Sequence, residues 1–130
     1  IKTLVRVTEE CLYAGIEKLQ AYNKVGDISN AIQTRAVEHG FGVVEKFGGH
    51  GIGRNLHEDP FISNAGVKDK GYLLKPGMVV AVEPMLTLGN ADVKRMNNGW
   101  TIKTKDGKNA AHFEHTVVIA EEGPIILTGR

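Results

Sequence analysis

The stretch GGHGIGRNLHEDP, residues 48 to 60, sets His50 and His57 seven residues apart among glycines, with Glu58 and Asp59 directly behind. It is too rich in glycine for a helix and too rich in titratable side chains for an idle linker. Two carboxylates stand in apolar company further along. Glu83 closes the run Met78-Val79-Val80-Ala81-Val82, and Glu114 lies inside the segment from Ala111 to Ile119. A buried carboxylate costs on the order of several kcal/mol unless a cation or hydrogen-bond donors meet it. Strand alternation places Glu114 on one face with His112 and Thr116, opposite Phe113, His115, Val117 and Ile119. Taken singly, either Glu fits a strand edge facing solvent or an arginine. Two of them, with a histidine on a glycine-bounded strand end, point instead to a metal site. Such an N and O donor set suits Zn, Mn, Co or Fe better than a thiolate-preferring metal.

Other readings of these residues are weaker. A dinucleotide-binding loop needs GxGxxG opening a helix, whereas here GxGxG runs into Arg-Asn-Leu-His-Glu-Asp-Pro, a poor helix start. His57 alone is an ordinary surface or core histidine. His39 falls in a last helical turn, where it complements the helix dipole. Trp100, the one tryptophan, fits either the core or the wall of an apolar pocket.

The elements that position these groups follow from periodicity. Leu4, Cys11, Leu12, Ile16 and Leu19 form an apolar stripe of helical period, in a helix ending near Tyr22. A second helix, with Asp27 as N-cap and Ile28, Ala31, Ile32 and Val37 as its apolar face, stops at Gly40. Phe41 to Phe47 reads as a strand delivering the glycine motif. Lys75-Pro76-Gly77 turns into the strand ending at Glu83, and Trp100 to Thr104, Ala111 to Ala120 and Pro124 to Thr128 read as further strands. The expected class is α+β, two helices followed by a sheet-rich half, in a single domain over residues 1–130.

Composition narrows the function classes. The 130 residues are 42% apolar and 24% charged with a net charge of +1, a globular balance without the basic excess of a nucleic-acid binder. No apolar run approaches the roughly 20 residues of a membrane-spanning helix, and no signal peptide is visible. With one cysteine, Cys11, there is no internal disulfide, so a cytoplasmic setting is expected. The chain opens on Ile1 rather than Met and runs at once into a helix, which suggests a preceding portion.

The segments GHGIGRNLHEDP, PGMVVAVEPM and HFEHTVVI, in that order and separation, resemble the metal-binding core of the type 1 methionine aminopeptidases, in the pita-bread family of metallopeptidases. The likeness covers essentially the whole chain, as the C-terminal half or slightly more of such an enzyme. Prolidases and aminopeptidase P arrange their histidine motifs differently, and type 2 methionine enzymes do not keep the HGIGxxxHExP form. The resemblance implies a curved, mostly antiparallel sheet, two divalent ions (Mn, Co, Fe or Zn), and removal of the N-terminal methionine from nascent polypeptides. It implies further that His50 and Glu83 bind one metal and Glu114 bridges two. On the same grounds His57 contacts substrate and steadies the oxyanion, Glu83 shuttles a proton, and Trp100 walls the methionine pocket. Leu56 stands where the family usually has Phe, a small change in that pocket.

The family's other two metal ligands are aspartates of its N-terminal half, and neither they nor the assisting histidine of that half is present here. Asp27, Asp59 and Asp92 match none of the missing positions. One metal then keeps three of its four protein ligands and the other only Glu114, which weakens binding. A lone half also exposes sheet surface that its twin covers. Three expectations follow: an enzyme chain that needs an N-terminal half, a metal-poor pseudo-enzyme or peptide- or protein-binding module of the same fold, or a short chain that rebuilds a site across a homo-oligomer.

Overall fold

The computed structural model describes residues 2–45, 47–54, 58–88, 93–95, 102–104 and 110–128. Among the described residues two helices come first, α1 (Lys2–Glu17) and α2 (Val25–Glu38), followed by ten strands. These are β1 (Gly42–Val43), β2 (Gly49–Ile52), β3 (Glu58–Ile62), β4 (Val79–Val82), β5 (Met85–Thr87), β6 (Val93–Arg95), β7 (Ile102–Thr104), β8 (Ala110–His112), β9 (His115–Ala120) and β10 (Gly123–Ile126). All strand pairs are antiparallel. Five strands form one sheet in the order β10-β9-β4-β2-β3, three form another in the order β1-β5-β8, and β6 pairs with β7.

The helices form where the apolar spacing demands, and their stripes meet the sheet. Leu4, Cys11, Leu12, Ile16 and Leu19 are all buried, joined by Ile28, Ile32, Ile62, Val80, Val82, Val117 and Ile119 in one core. Several details differ from expectation. α1 stops at Glu17, five residues before Tyr22, whose own φ of 73° is left-handed. The buried face of α2 is Val25, Ile28, Ser29, Ile32 and Ala36. Positions 28, 32 and 36 follow the i, i+4 row, and Val37, one residue further round, is 61% exposed. Asp27 is not the N-cap but lies three residues after it: the Lys24 backbone N–H donates to its carboxylate at 2.8 Å. Gly40, at φ 74°, does terminate α2 in the left-handed region. Among the described residues of the strand expected from Phe41 to Phe47, Gly42–Val43 is strand, and it pairs with β5 rather than running on into the motif. The last strand is Gly123–Ile126, earlier than Pro124 to Thr128.

The expected strand from Ala111 to Ala120 is two strands. β8 pairs with β5 in one sheet and β9 with β4 in the other, the switch falling at Phe113-Glu114. Directly across the ladder, β4 passes into β5 at Glu83-Pro84. Phe113 N–H donates to the Pro84 carbonyl at 3.2 Å, and Pro84 has no N–H to return. The two-stranded ribbon therefore bends there and leaves one sheet for the other. Glu83 and Glu114 both sit at this bend.

The glycines of β2 serve close approach. A Cβ on Gly49 would stand 2.0 Å from the Ala81 carbonyl oxygen, and one on Gly51 would stand 2.2 Å from that of Asp59. Neither leaves room for any side chain.

Candidate metal centre

Register places His50 in a row across the large sheet, opposite Phe61 of β3 on one side and Ala81 of β4 on the other, with Thr116 of β9 beyond Ala81. Alternation carries that face from Ala81 to Glu83 and from Thr116 back to Glu114. The helices cover the other face, where Val80, Val82, Val117 and Ile119 are buried. Three candidate ligands thus share the face away from the helices.

His50 Nδ1–H donates to the Gly51 carbonyl, 3.0 Å away, since a carbonyl can only accept. Nε2 is thereby turned to Glu83, 2.8 Å from Oε2, with side-chain exposures of 12% for His50 and 19% for Glu83. A proton or a cation must lie between two such atoms, and a backbone bond from the far ring nitrogen is how ligating histidines are held. The other carboxylate oxygen, Oε1, is 3.6 Å from Nε2 of His112, which ends β8. Donor atoms of Glu83, His112 and Glu114 all lie within 4.8 Å of one another. His50 and Glu83 are thus together, and Glu114 is beside Glu83. His57, Leu56 and Trp100 lie outside the described residues.

Electrostatics agree with the geometry. Burial works to raise the Glu83 carboxyl, but the close approach of His112, the charges of His50 and His112, and the bond from His50 outweigh it and hold the group below its ordinary value. His112 is pushed up chiefly by its approach to the Glu83 carboxylate, against burial, with Glu114 adding to the rise. At 3.6 Å the His112 contact is too long for a formed hydrogen bond and acts through charge. The 2.8 Å contact to His50 is the stronger of the two.

Two residues of this region were not among the site residues expected from the sequence. Asn64, fully buried, directs Nδ2 at the carbonyls of Glu83, Phe47 and Val44, at 3.0, 3.2 and 3.4 Å. It anchors the bend to the segments before β2, and its Oδ1 has no hydrogen-bond partner among the described residues. His112 stood out in sequence only as a face-mate of Glu114. His115 belongs to the opposite face, where its ring meets Tyr13 Oη at 3.2 Å and Thr128 Oγ1 at 2.9 Å. A polar groove of about 400 Å³ along α1 and α2, lined by residues such as Lys18, Asn30 and Arg35, shares no residue with the centre.

A histidine and two carboxylates at one bend, with a further histidine beside them, form a donor set that fits a divalent cation. The sequence pattern of the metallopeptidase family M24 matches residues 1–121, and the chain belongs to that family. Within it, the chain is similar to the methionine aminopeptidases. It is 50% identical to that of Aquifex aeolicus over 96% of its own length and 49% of the relative's, and 49% identical to methionine aminopeptidase 1 of Bacillus subtilis over 98% and 51%. The crystal structure of methionine aminopeptidase from Rickettsia prowazekii superposes with a TM-score of 0.95 at 42% identity, covering 98% of this chain and 52% of that one. That from Thermotoga maritima gives 0.95 at 45%, covering 99% and 52%. The chain spans about half the length of the relatives it matches. The two helices and bent antiparallel sheets are the pita-bread architecture expected from the motifs.

Proposed function

We propose that the chain carries one side of the metal centre of a cytoplasmic methionine aminopeptidase, acting on the N-terminus of a peptide or nascent chain. The observation that carries this reading is the bend itself, where His50 Nε2 stands 2.8 Å from Glu83 and the Glu114 carboxylate lies within 4.8 Å of Glu83. Divalent ions held at such a centre (Mn, Co, Fe or Zn) polarise the scissile carbonyl and lower the pKa of the attacking water. His50, Glu83 and Glu114 are the ligands. Glu83 is also the group placed to accept a proton from the attacking water and pass it to the leaving amine. His57 donates to the developing oxyanion, while Leu56 and Trp100 line the pocket for the methionine side chain. Two aspartates on a complementary N-terminal half, or on a second copy of the chain, complete the dinuclear site.

The test is hydrolysis of a methionyl tripeptide with added Mn or Co, by the chain alone and with a polypeptide supplying the N-terminal half of a relative. Turnover should appear with the complement and fall at least about 100-fold in Glu83→Gln, the scale of a lost catalytic acid–base. Turnover that survives Glu83→Gln overturns the reading. So does peptide binding without hydrolysis under every condition, which is the behaviour of a binding module.

A further inference from the structure

Phe61 stands beside the metal centre without taking part in ligation. We infer that it is a specificity-determining residue: its ring forms an apolar wall against which the thioether of the peptide's N-terminal methionine packs. The inference rests on reading the bend as an aminopeptidase centre, and it adds a side chain that selects what enters.

Register fixes the position. Phe61 of β3 lies directly opposite His50 of β2, and residues opposed in an antiparallel pair share a face, with Cβ atoms about 4.5–5.5 Å apart. Ile62, the next residue, is fully buried in the core, so alternation turns Phe61 to the side away from the helices. There it is 51% exposed. A lone exposed phenylalanine is ordinary on a protein surface, but this one neighbours a ligand, and its ring leans over Gly48. Cε1 and Cζ lie 3.3 Å from the point a Gly48 Cβ would occupy, and that Cβ would also stand 2.5 Å from the Ile62 carbonyl oxygen. Carrying the β2–β4 register two residues on from His50 and Ala81 sets Gly48 across from Glu83. The ring therefore lies in the row of Glu83 as well as beside His50, and glycine at position 48 puts no side chain between ring and carboxylate. A few polar groups converging beside an apolar wall are the composition of a small-ligand site. A peptide whose first carbonyl is held at His50 and Glu83 carries its first side chain on the adjoining Cα, within reach of that ring. Leu56, of the same methionine pocket, falls in sequence between these two strands. Sulfur against an aromatic ring strengthens binding by about 2- to 12-fold, beyond what apolar bulk gives. That contact separates methionine from norleucine, which has the same shape with CH2 in place of sulfur.

The experiment titrates methioninol and norleucinol, amino alcohols that carry the first side chain and no scissile bond, into the chain with Zn(II), alone and with the N-terminal-half polypeptide. Binding is followed by NMR of the phenylalanine ring protons and Zn(II) content by mass spectrometry. The chains are wild type, Phe61→Leu, Phe61→Tyr and Glu83→Gln, with far-UV circular dichroism confirming the fold of each. In wild type the methioninol S-methyl protons should show nuclear Overhauser contacts to the Phe61 ring, and methioninol should bind about 2- to 12-fold more tightly than norleucinol. Phe61→Leu should keep Zn(II) and bring the two alcohols level, and Phe61→Tyr should restore the preference. An unchanged preference in Phe61→Leu, with Zn(II) retained, would overturn the role of Phe61 and leave the metal centre standing. Zn(II) retained with neither alcohol bound would overturn the wall in the same way. Zn(II) content equal in wild type and Glu83→Gln would overturn the centre, and the role of Phe61 with it.

Discussion

The two faces of the five-stranded sheet are made of the same strands and obey different rules. Toward the helices, Ile62, Val80, Val82, Val117 and Ile119 are buried against α1 and α2, and what matters there is volume. Toward the other side, His50, Ala81 and Thr116 form a row that ends in Glu83 and Glu114 at the bend, and what matters is which atom sits where. A single strand serves both, because alternate residues point opposite ways. The core face accepts apolar exchanges that conserve volume, whereas the ligand face accepts almost no exchange at its few chemical positions.

The largest separation of the two faces should come from Ile32→Ala on α2. Its side chain is fully buried, so the change should cost about 2–5 kcal/mol in urea denaturation. Metal affinity of the remaining folded protein should be unchanged, and an equal loss in both would show that the faces are coupled. Asn64→Ala should cost less, about 1–3 kcal/mol for carbonyls left without their donor, but should also weaken Co(II) binding, because Asn64 holds the Glu83 carbonyl at 3.0 Å. Stability loss with intact binding would mean that the bend positions Glu83 unaided.

Smaller still is Asp27→Asn, far from both faces, at about 1 kcal/mol for a weakened helix start. Backbone N–H groups of Lys24 and Asp69 hold the Asp27 carboxyl below its ordinary value of 3.8. A lowered carboxyl pKa gives stability that is present above the ordinary value and lost as pH falls through the folded-state value. The variant's stability should therefore flatten below about pH 4 relative to wild type, as read by urea midpoints across pH. An unchanged acid slope would dismiss that contribution. The smallest expected effect concerns Cys11. Burial pushes its thiol up to about 12, so a thiol reagent at neutral pH should label it only in denaturant, and rapid native labelling would show that the core face opens.

The two helices were legible because five apolar residues of α1 keep a 3.6-residue period, and the opening motif was legible because two histidines and an acidic pair stand among glycines. The site residues Glu83 and Glu114 stood out as charges among apolar neighbours. What could not be read is long-range. Alternation runs without fault through Ala111 to Ala120, and the break at Phe113-Glu114 comes from Pro84 on the neighbouring strand, which cannot return a hydrogen bond. Val37 was misplaced because an apolar residue one step beyond the buried row looks the same in sequence as one within it. His112 and Asn64 escaped for a shared reason: their partners, the Glu83 carboxylate and carbonyl, are brought to them only by folding.

Gly49 and Gly51, pressed against the carbonyls of Ala81 and Asp59, also set how this strand can change over time. Every single-base change that replaces a glycine installs a Cβ, and at both positions that atom has nowhere to go. Between them only His50 remains adjustable. A lineage, or an engineer, wishing to retune the centre must therefore work at His50 itself or from the bend, at Glu83 or Glu114, while the glycines on either side of His50 stay fixed.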